Sequence, residues 1–153
     1  MAPQVWIGLT AACVFVLDAA SKWLVQTRMV PGQSLAVIPG FFYITYVRNA
    51  GAAFGLLQGQ TALFIAVAIA VVALIATYGR RMARHHTSIG FALGLQLGGA
   101  MGNLVDRVVY GRVVDFLDFR IWAFVFNVAD AAIVVGGALF AVALWRLAPA
   151  EER

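Results

Sequence analysis

Between Gly98 and Asp130 the chain reads GGAMGNLVDRVVYGRVVDFLDFRIWAFVFNVAD, which holds four of its seven acidic residues inside a sequence that is otherwise almost entirely apolar. Asp115 and Asp130 adjoin long apolar runs. A carboxylate placed there costs several kcal/mol unless something offsets it, so such residues point to chemistry. Two aspartates in one pocket suggest a specific device. Like charges a few Å apart cannot both ionise, so one carboxyl keeps a proton while the other acts as base on a water molecule. That is how an aspartic dyad hydrolyses a peptide bond, and its titration belongs to the pair and not to either residue.

The elements that must position these groups are membrane spans. Of 153 residues, 63% are hydrophobic and 12% charged, with a mean hydropathy of +0.89. The uncharged runs 1–17, 49–79, 87–105 and 131–145 are too long for a soluble domain of this size. Roughly 20 apolar residues cross the hydrocarbon core, which leaves room for four helices, expected at about 5–25, 61–78, 89–106 and 124–146. The expectation is a single domain over 1–153: a mainly α membrane protein, a four-transmembrane-helix bundle with a small extracytoplasmic β-sheet. The sheet is expected in 26–60, where Pro31-Gly32 and Pro39-Gly40 punctuate and Phe41 to Val47 is aromatic and β-branched. An open sheet edge is not tolerated in hydrocarbon, so the sheet belongs on a membrane face.

The basic loop 79–88 carries the densest positive cluster and argues for the cytoplasmic side. That puts both termini inside and 26–60 and 107–123 outside. Counted in full, the arginines divide evenly between the two faces, so only this clustering favours the orientation. Depth then becomes useful, because a helix rises about 1.5 Å per residue. Counted from the inner surface, Asp18 and Asn103 lie roughly 20 Å up, and Asp130, counted from a span start at Phe124, lies roughly 10 Å below the outer surface. These groups meet at one level, a polar pocket in the outer leaflet.

Each candidate also has a plainer reading. Asp18 and Lys22 are spaced i, i+4 and share a helical face, as a snorkelling end pair would. Asn103, Asp106 and Arg107 share another face, and Asp106-Arg107 reads as an interfacial pair. Asn103 and Asn127 could be interhelical glue worth about 1 kcal/mol. Asp118 reads as a solvated loop residue. The small residues Asn49 to Gly55 permit close backbone approach to a ligand, although such clusters more often serve packing. The span 61–78 is scaffold, and the glycines of the third span let neighbouring backbones come close.

Several functions are disfavoured. The net charge of +4 is not gathered into a basic face with interleaved aromatics, so no nucleic-acid partner is expected. Adjacent His85 and His86 do not share a helix face, and no cluster has ligand spacing, so no metal and no cofactor are expected. Cys13 stands alone and cannot form an intramolecular disulfide. Met1 to Gln4 lack Lys and Arg and the apolar run continues past Cys13, which argues against a cleaved signal peptide.

The blocks Asp18-Ala-Ala-Ser-Lys22, Asn49-Ala-Gly-Ala-Ala-Phe-Gly55, Gly98-Gly-Ala-Met-Gly-Asn103, Asp106-Arg107, Gly111-Arg-Val-Val-Asp-Phe116 and Phe126-Asn-Val-Ala-Asp130 together resemble the lipoprotein signal peptidase (signal peptidase II) family. The resemblance implies an aspartic endopeptidase of the bacterial cytoplasmic (inner) membrane, multi-pass, with its active site toward the extracytoplasmic side. It implies removal of signal peptides from diacylglyceryl-modified prolipoproteins, just before the lipidated cysteine. Asp115 and Asp130 match the family's dyad. Asp18, Lys22, Asn49, Gly51, Asn103, Asp106, Arg107 and Asn127 match positions that support the site or bind substrate. The expected partners are the prolipoprotein and membrane lipid, and the chain is expected to act as a monomer. The rival reading is a small transporter relaying protons through Asp18 and Asp130. Transporters tend to place sites at the midplane between repeats, whereas no repeat relates the two halves here.

Overall fold

A computed structural model describes residues 2–51 and 59–147. Four helices run up and down: α1 (Val5–Arg28), α2 (Thr61–Met82), α3 (Thr87–Tyr110) and α4 (Val128–Leu147). Each is long and apolar enough to cross a membrane. Strands β1 (Ser34–Ile38) and β2 (Phe42–Asn49) follow α1, and β3 (Val113–Phe119) follows α3. They form one antiparallel sheet in the order β1-β2-β3, at the end of the bundle where α1 and α3 finish.

α3 is the organising helix. It packs on α1, α2 and α4, whereas α2 has a substantial interface with α3 alone. Its glycines make this possible: a Cβ at Gly98 would lie 2.6 Å from the Ala11 carbonyl oxygen, so α1 and α3 touch backbone to backbone. α2 buries only Ile75 and Gly79 among its residues, in keeping with a scaffold role. Away from the sheet, Ile7, Ile75, Ala83, Ile89, Leu93 and Ala143 form one core. Under the sheet, Val25 and Met29 meet Tyr46, Val114 and Phe116 in a second.

Two expectations are corrected. The sheet has a third strand, in the segment 107–123 that was expected to be an outer connection. Val113-Val-Asp-Phe-Leu-Asp-Phe119 is β-branched and aromatic between its acids, and Gly111, left-handed at φ 69°, ends α3 and turns the chain into it. The fourth span begins at Val128 and not near Phe124. Phe126 is held extended because its carbonyl accepts the Phe116 and Leu117 N–H groups at 2.9 and 2.7 Å and its own N–H returns to Leu117. Asp130 therefore stands in the first turn of α4, and the depth counted from Phe124 does not apply to it.

Candidate active site

The start of α4 builds the site. The Asn127 side-chain oxygen accepts the Asp130 N–H at 2.9 Å, and the Asp130 carboxylate accepts the Asn127 N–H at 3.2 Å. This is a reciprocal capping box, so Asn-Val-Ala-Asp is at once a helix-start signal and the seat of a carboxylate. A second donor of the same turn, the Ala129 N–H, goes to Asp18 Oδ1 at 2.9 Å. Anionic groups at a helix N-terminus are favoured by its orphan N–H groups and its dipole.

Asp115 comes from the middle of β3. The ladder shifts register between Ile44 and Val47 of β2, and the paired N–H groups of Phe116 and Leu117 on one carbonyl mark a bulge beside it. Asn49 Nδ2 donates to Asp115 Oδ2 at 2.8 Å and Asn127 Nδ2 donates to Oδ1 at 2.6 Å. Asn103 Nδ2 donates to Asp130 Oδ1 at 2.7 Å. Asn127 thus touches both aspartates, one through its side chain and one through its backbone. Asp115 and Asp130 line one cavity of about 310 Å³, together with Asn49, Gly51 and Arg107. Burial, and after it the Asp130 carboxylate, pushes the Asp115 carboxyl up to about 7, against the hydrogen bonds from Asn49 and Asn127.

Behind the pair lies a buried ionic cluster. Lys22 Nζ sits 2.7 Å from Asp18 Oδ2, 3.0 Å from Asp106 Oδ2 and 3.1 Å from Asn103 Oδ1. Asp106 also accepts the Val114 N–H at 3.2 Å, which ties α3 to β3 one residue from Asp115. Asp18 and Lys22 are therefore an interior pair and not a snorkelling one. Asp106 is not an interfacial partner of Arg107 either; its cation is Lys22. Gly102 makes room for this cluster, because a Cβ at that position would run into the Asp18 carboxylate, which Lys22 and the Ala129 N–H hold in place, and one of them would have to shift.

Arg107 lies over the Phe64 ring, 4.8 Å from its centroid, and donates to the Asn103 carbonyl oxygen at 3.4 Å. The Gly51 N–H donates to Asn49 Oδ1 at 2.9 Å, a local turn that orients the Asn49 amide. Ala52 to Gly55 lie outside the described residues. All ten sequence-derived candidates, Asp18, Lys22, Asn49, Gly51, Asn103, Asp106, Arg107, Asp115, Asn127 and Asp130, belong to this one constellation. Asp118, expected to be a solvated loop residue, is buried on β3; it accepts a 2.6 Å hydrogen bond from Thr45 and pairs with Arg120 at 3.2 Å.

The family model of Signal peptidase (SPase) II matches residues 10–146, which include the whole of this arrangement. The chain belongs to the signal peptidase II family. It is 49% identical to the lipoprotein signal peptidase of Desulfitobacterium hafniense, over 96% of this chain and 97% of that protein. Against the lipoprotein signal peptidase of Moorella thermoacetica the identity is 45%, over 95% of each. The fold matches a solved bacterial membrane enzyme at 36% identity and a TM-score of 0.86, covering 92% of this chain and 87% of that one. A second solved bacterial membrane enzyme, also 36% identical, matches with a TM-score of 0.82. As a member of the signal peptidase II family the chain is a multi-pass membrane protease.

Proposed function

We propose that the protein is an aspartic endopeptidase that removes signal peptides from prolipoproteins, cutting just before a diacylglyceryl-modified cysteine, with Asp115 and Asp130 as its catalytic pair. The observation that carries this reading is that the two carboxylates line one cavity and are held by neutral N–H donors, with no direct ion pair to either among the described residues. Direct ion pairs would fix both as anions. Amides hold the geometry and leave one proton to be shared.

In this mechanism the ionised carboxylate takes a proton from water as the oxygen attacks the scissile carbonyl. The protonated partner donates a hydrogen bond to that carbonyl oxygen and stabilises the charge that develops on it. Collapse of the tetrahedral intermediate returns a proton to the departing amine and restores the singly protonated pair. Asn49, Asn103 and Asn127 keep the carboxylates aimed, and Arg107 brings a positive charge to the cavity wall. The other residues of the constellation, Asp18, Lys22 and Gly51, support it from behind and beside.

A site between spans is reached by a substrate already in the bilayer. Each buried methylene contributes about 0.8 kcal/mol to membrane anchoring, so a diacylglyceryl group fixes the cysteine near the leaflet boundary. A signal helix alone slides or tilts at small cost. The decisive experiment is cleavage of one precursor by the purified protein in one detergent, with its cysteine either lipidated or unmodified. The lipidated form is expected to be cut at least about tenfold faster, the effect of burying only two methylenes. Equal rates would make this a general intramembrane peptidase.

The proposed location is the cytoplasmic (inner) membrane with the sheet and the cavity on the extracytoplasmic side, following the basic loop after α2. In a background without Cys13, a cysteine at Gly32 should react with an impermeant thiol reagent added to intact cells and one at Met82 should not. The opposite pattern would put the cavity on the inner side, where lipidated precursors do not present their cleavage site.

A further inference from the structure

Among the described residues three cavities converge on Asp130, and the substrate has three parts. The central cavity holds both carboxylates. A second, of about 320 Å³, lies between α2, α3 and α4, with Phe64 and Val71 on one wall, Ile133 on another, and Gln96 and Arg107 at its ends on α3. A third, of about 410 Å³, lies on the other side of Asp130, between Ala131, Val134 and Val135 of α4 and the rings of Trp122, Phe124 and Phe126. The periodicity of α4 explains the division. At 100° per residue, Ile133 and Ala131 fall on opposite flanks of Asp130, while Val134 lies between Asp130 and Ala131.

The geometry points to the third cavity as the binding site for the substrate's diacylglyceryl chains. This inference rests on the prolipoprotein reading above. The lipid is carried on the sulfur of the residue directly after the scissile bond, so its chains must begin in a cavity that touches the catalytic pair. The signal helix must occupy another. The two flanking cavities differ in length: the second extends along α3 from Gln96 to Arg107, roughly 16 Å of helix, whereas the third spans only Asp130 to Val135, roughly 8 Å. A helical segment needs the long one, which also offers it polar contacts at both ends. Flexible acyl chains need only a short apolar opening that continues into the bilayer, and apart from Asp130 the third cavity is lined by apolar and aromatic residues alone.

Its aromatic wall is also built to hold shape. Trp122 and Phe124 stack at 5.9 Å with an interplanar angle of 6°, and Phe126 stacks on Phe119 of β3 at 5.9 Å. The rings are therefore coupled to the strand that bears Asp115. A chain seated against them sits in fixed register with the catalytic pair, which bulk lipid sliding along α4 does not.

The test is a photocrosslinking map. A precursor carrying a diazirine near the head of one acyl chain is bound to the Asp115→Asn variant, irradiated and digested for mass spectrometry, beside the same photoreactive chain on free phosphatidylcholine. Adducts from the precursor are expected on Trp122, Ala131 and Val135, while the free lipid labels all bilayer-facing helices. Adducts from the precursor on Phe64 to Val71, or the diffuse pattern of the free lipid, would overturn the assignment. Cleavage of the precursor by Asp115→Asn would count against the aspartic mechanism alone and leave the map readable. A kinetic arm uses precursors with long and short acyl chains. Ala131→Phe should lower the long-to-short ratio of kcat/KM about tenfold, the loss of roughly two buried methylenes. Ala68→Phe, which narrows the second cavity, should leave that ratio unchanged; a fall in the ratio with Ala68→Phe and not with Ala131→Phe would place the chains there instead.

Discussion

Asp115→Asn and Asp130→Asn are each expected to leave a protein that inserts, folds and binds precursor but cleaves it at least about 10³-fold more slowly, because an amide can neither act as base nor share a proton. The neighbourhood limits the structural damage. Among the described residues the hydrogen-bond donors to Asp115 are the side-chain amides of Asn49 and Asn127, and the retained oxygen of an asparagine there keeps one of these two bonds. A melt in detergent should therefore change little while turnover is lost, and turnover retained in either variant would exclude the pair. The wild-type pH dependence should follow from the same geometry. Hydrolysis needs one proton on the pair, so the rate should fall as pH rises through about 7, where the Asp115 carboxyl loses its proton. Stability has the same sign. The folded protein keeps a proton that the unfolded chain releases near 3.8, so the contribution of this group is full below that value and is lost as pH rises through about 7.

Lys22→Met is expected to give the largest loss of stability of any single change at the site, about 3–5 kcal/mol, because it leaves Asp18 and Asp106 buried without their cation. The loss should be partly reversed by adding Asp106→Asn, since the damage is the uncompensated charge and not the missing contact. Thermal melting of the single and double variants decides it. If the single variant melts with the wild type, water reaches the cluster and the ionic network is not what locks α1, α3 and β3 together.

The legible and illegible parts of this chain divide along physical lines. Span existence follows from uncharged runs, and all four helices stand where those runs lie. Their ends do not follow, because hydropathy is blind to capping. Asn127 and Asp130 look like two polar residues one turn inside a helix, whereas their reciprocal hydrogen bonds make them its first turn. β3 was hidden by its own acids: Asp115 and Asp118 interrupt the alternation that marks a strand, one for the site and the other for Thr45 and Arg120. Helical spacing put Asn103 and Asp106 on one face, but nothing local says that Lys22, from another helix, is the cation both of them meet. That contact depends on the glycine-lined approach of α1 to α3, a tertiary fact.

The late start of α4 has a consequence for water. From Ala131 to Trp145 its uninterrupted apolar length is 15 residues, roughly 22 Å, against a hydrocarbon core of about 30 Å. A bilayer beside so short a helix thins to meet it, at a cost of fractions of a kcal/mol per Å. Thinning at the Asp130 end would pinch the membrane where a hydrolase surrounded by oil must obtain its second reactant. Hydrolysis should therefore slow in vesicles of progressively longer-chain phospholipid, as a thicker core closes the aqueous dimple over the carboxylates.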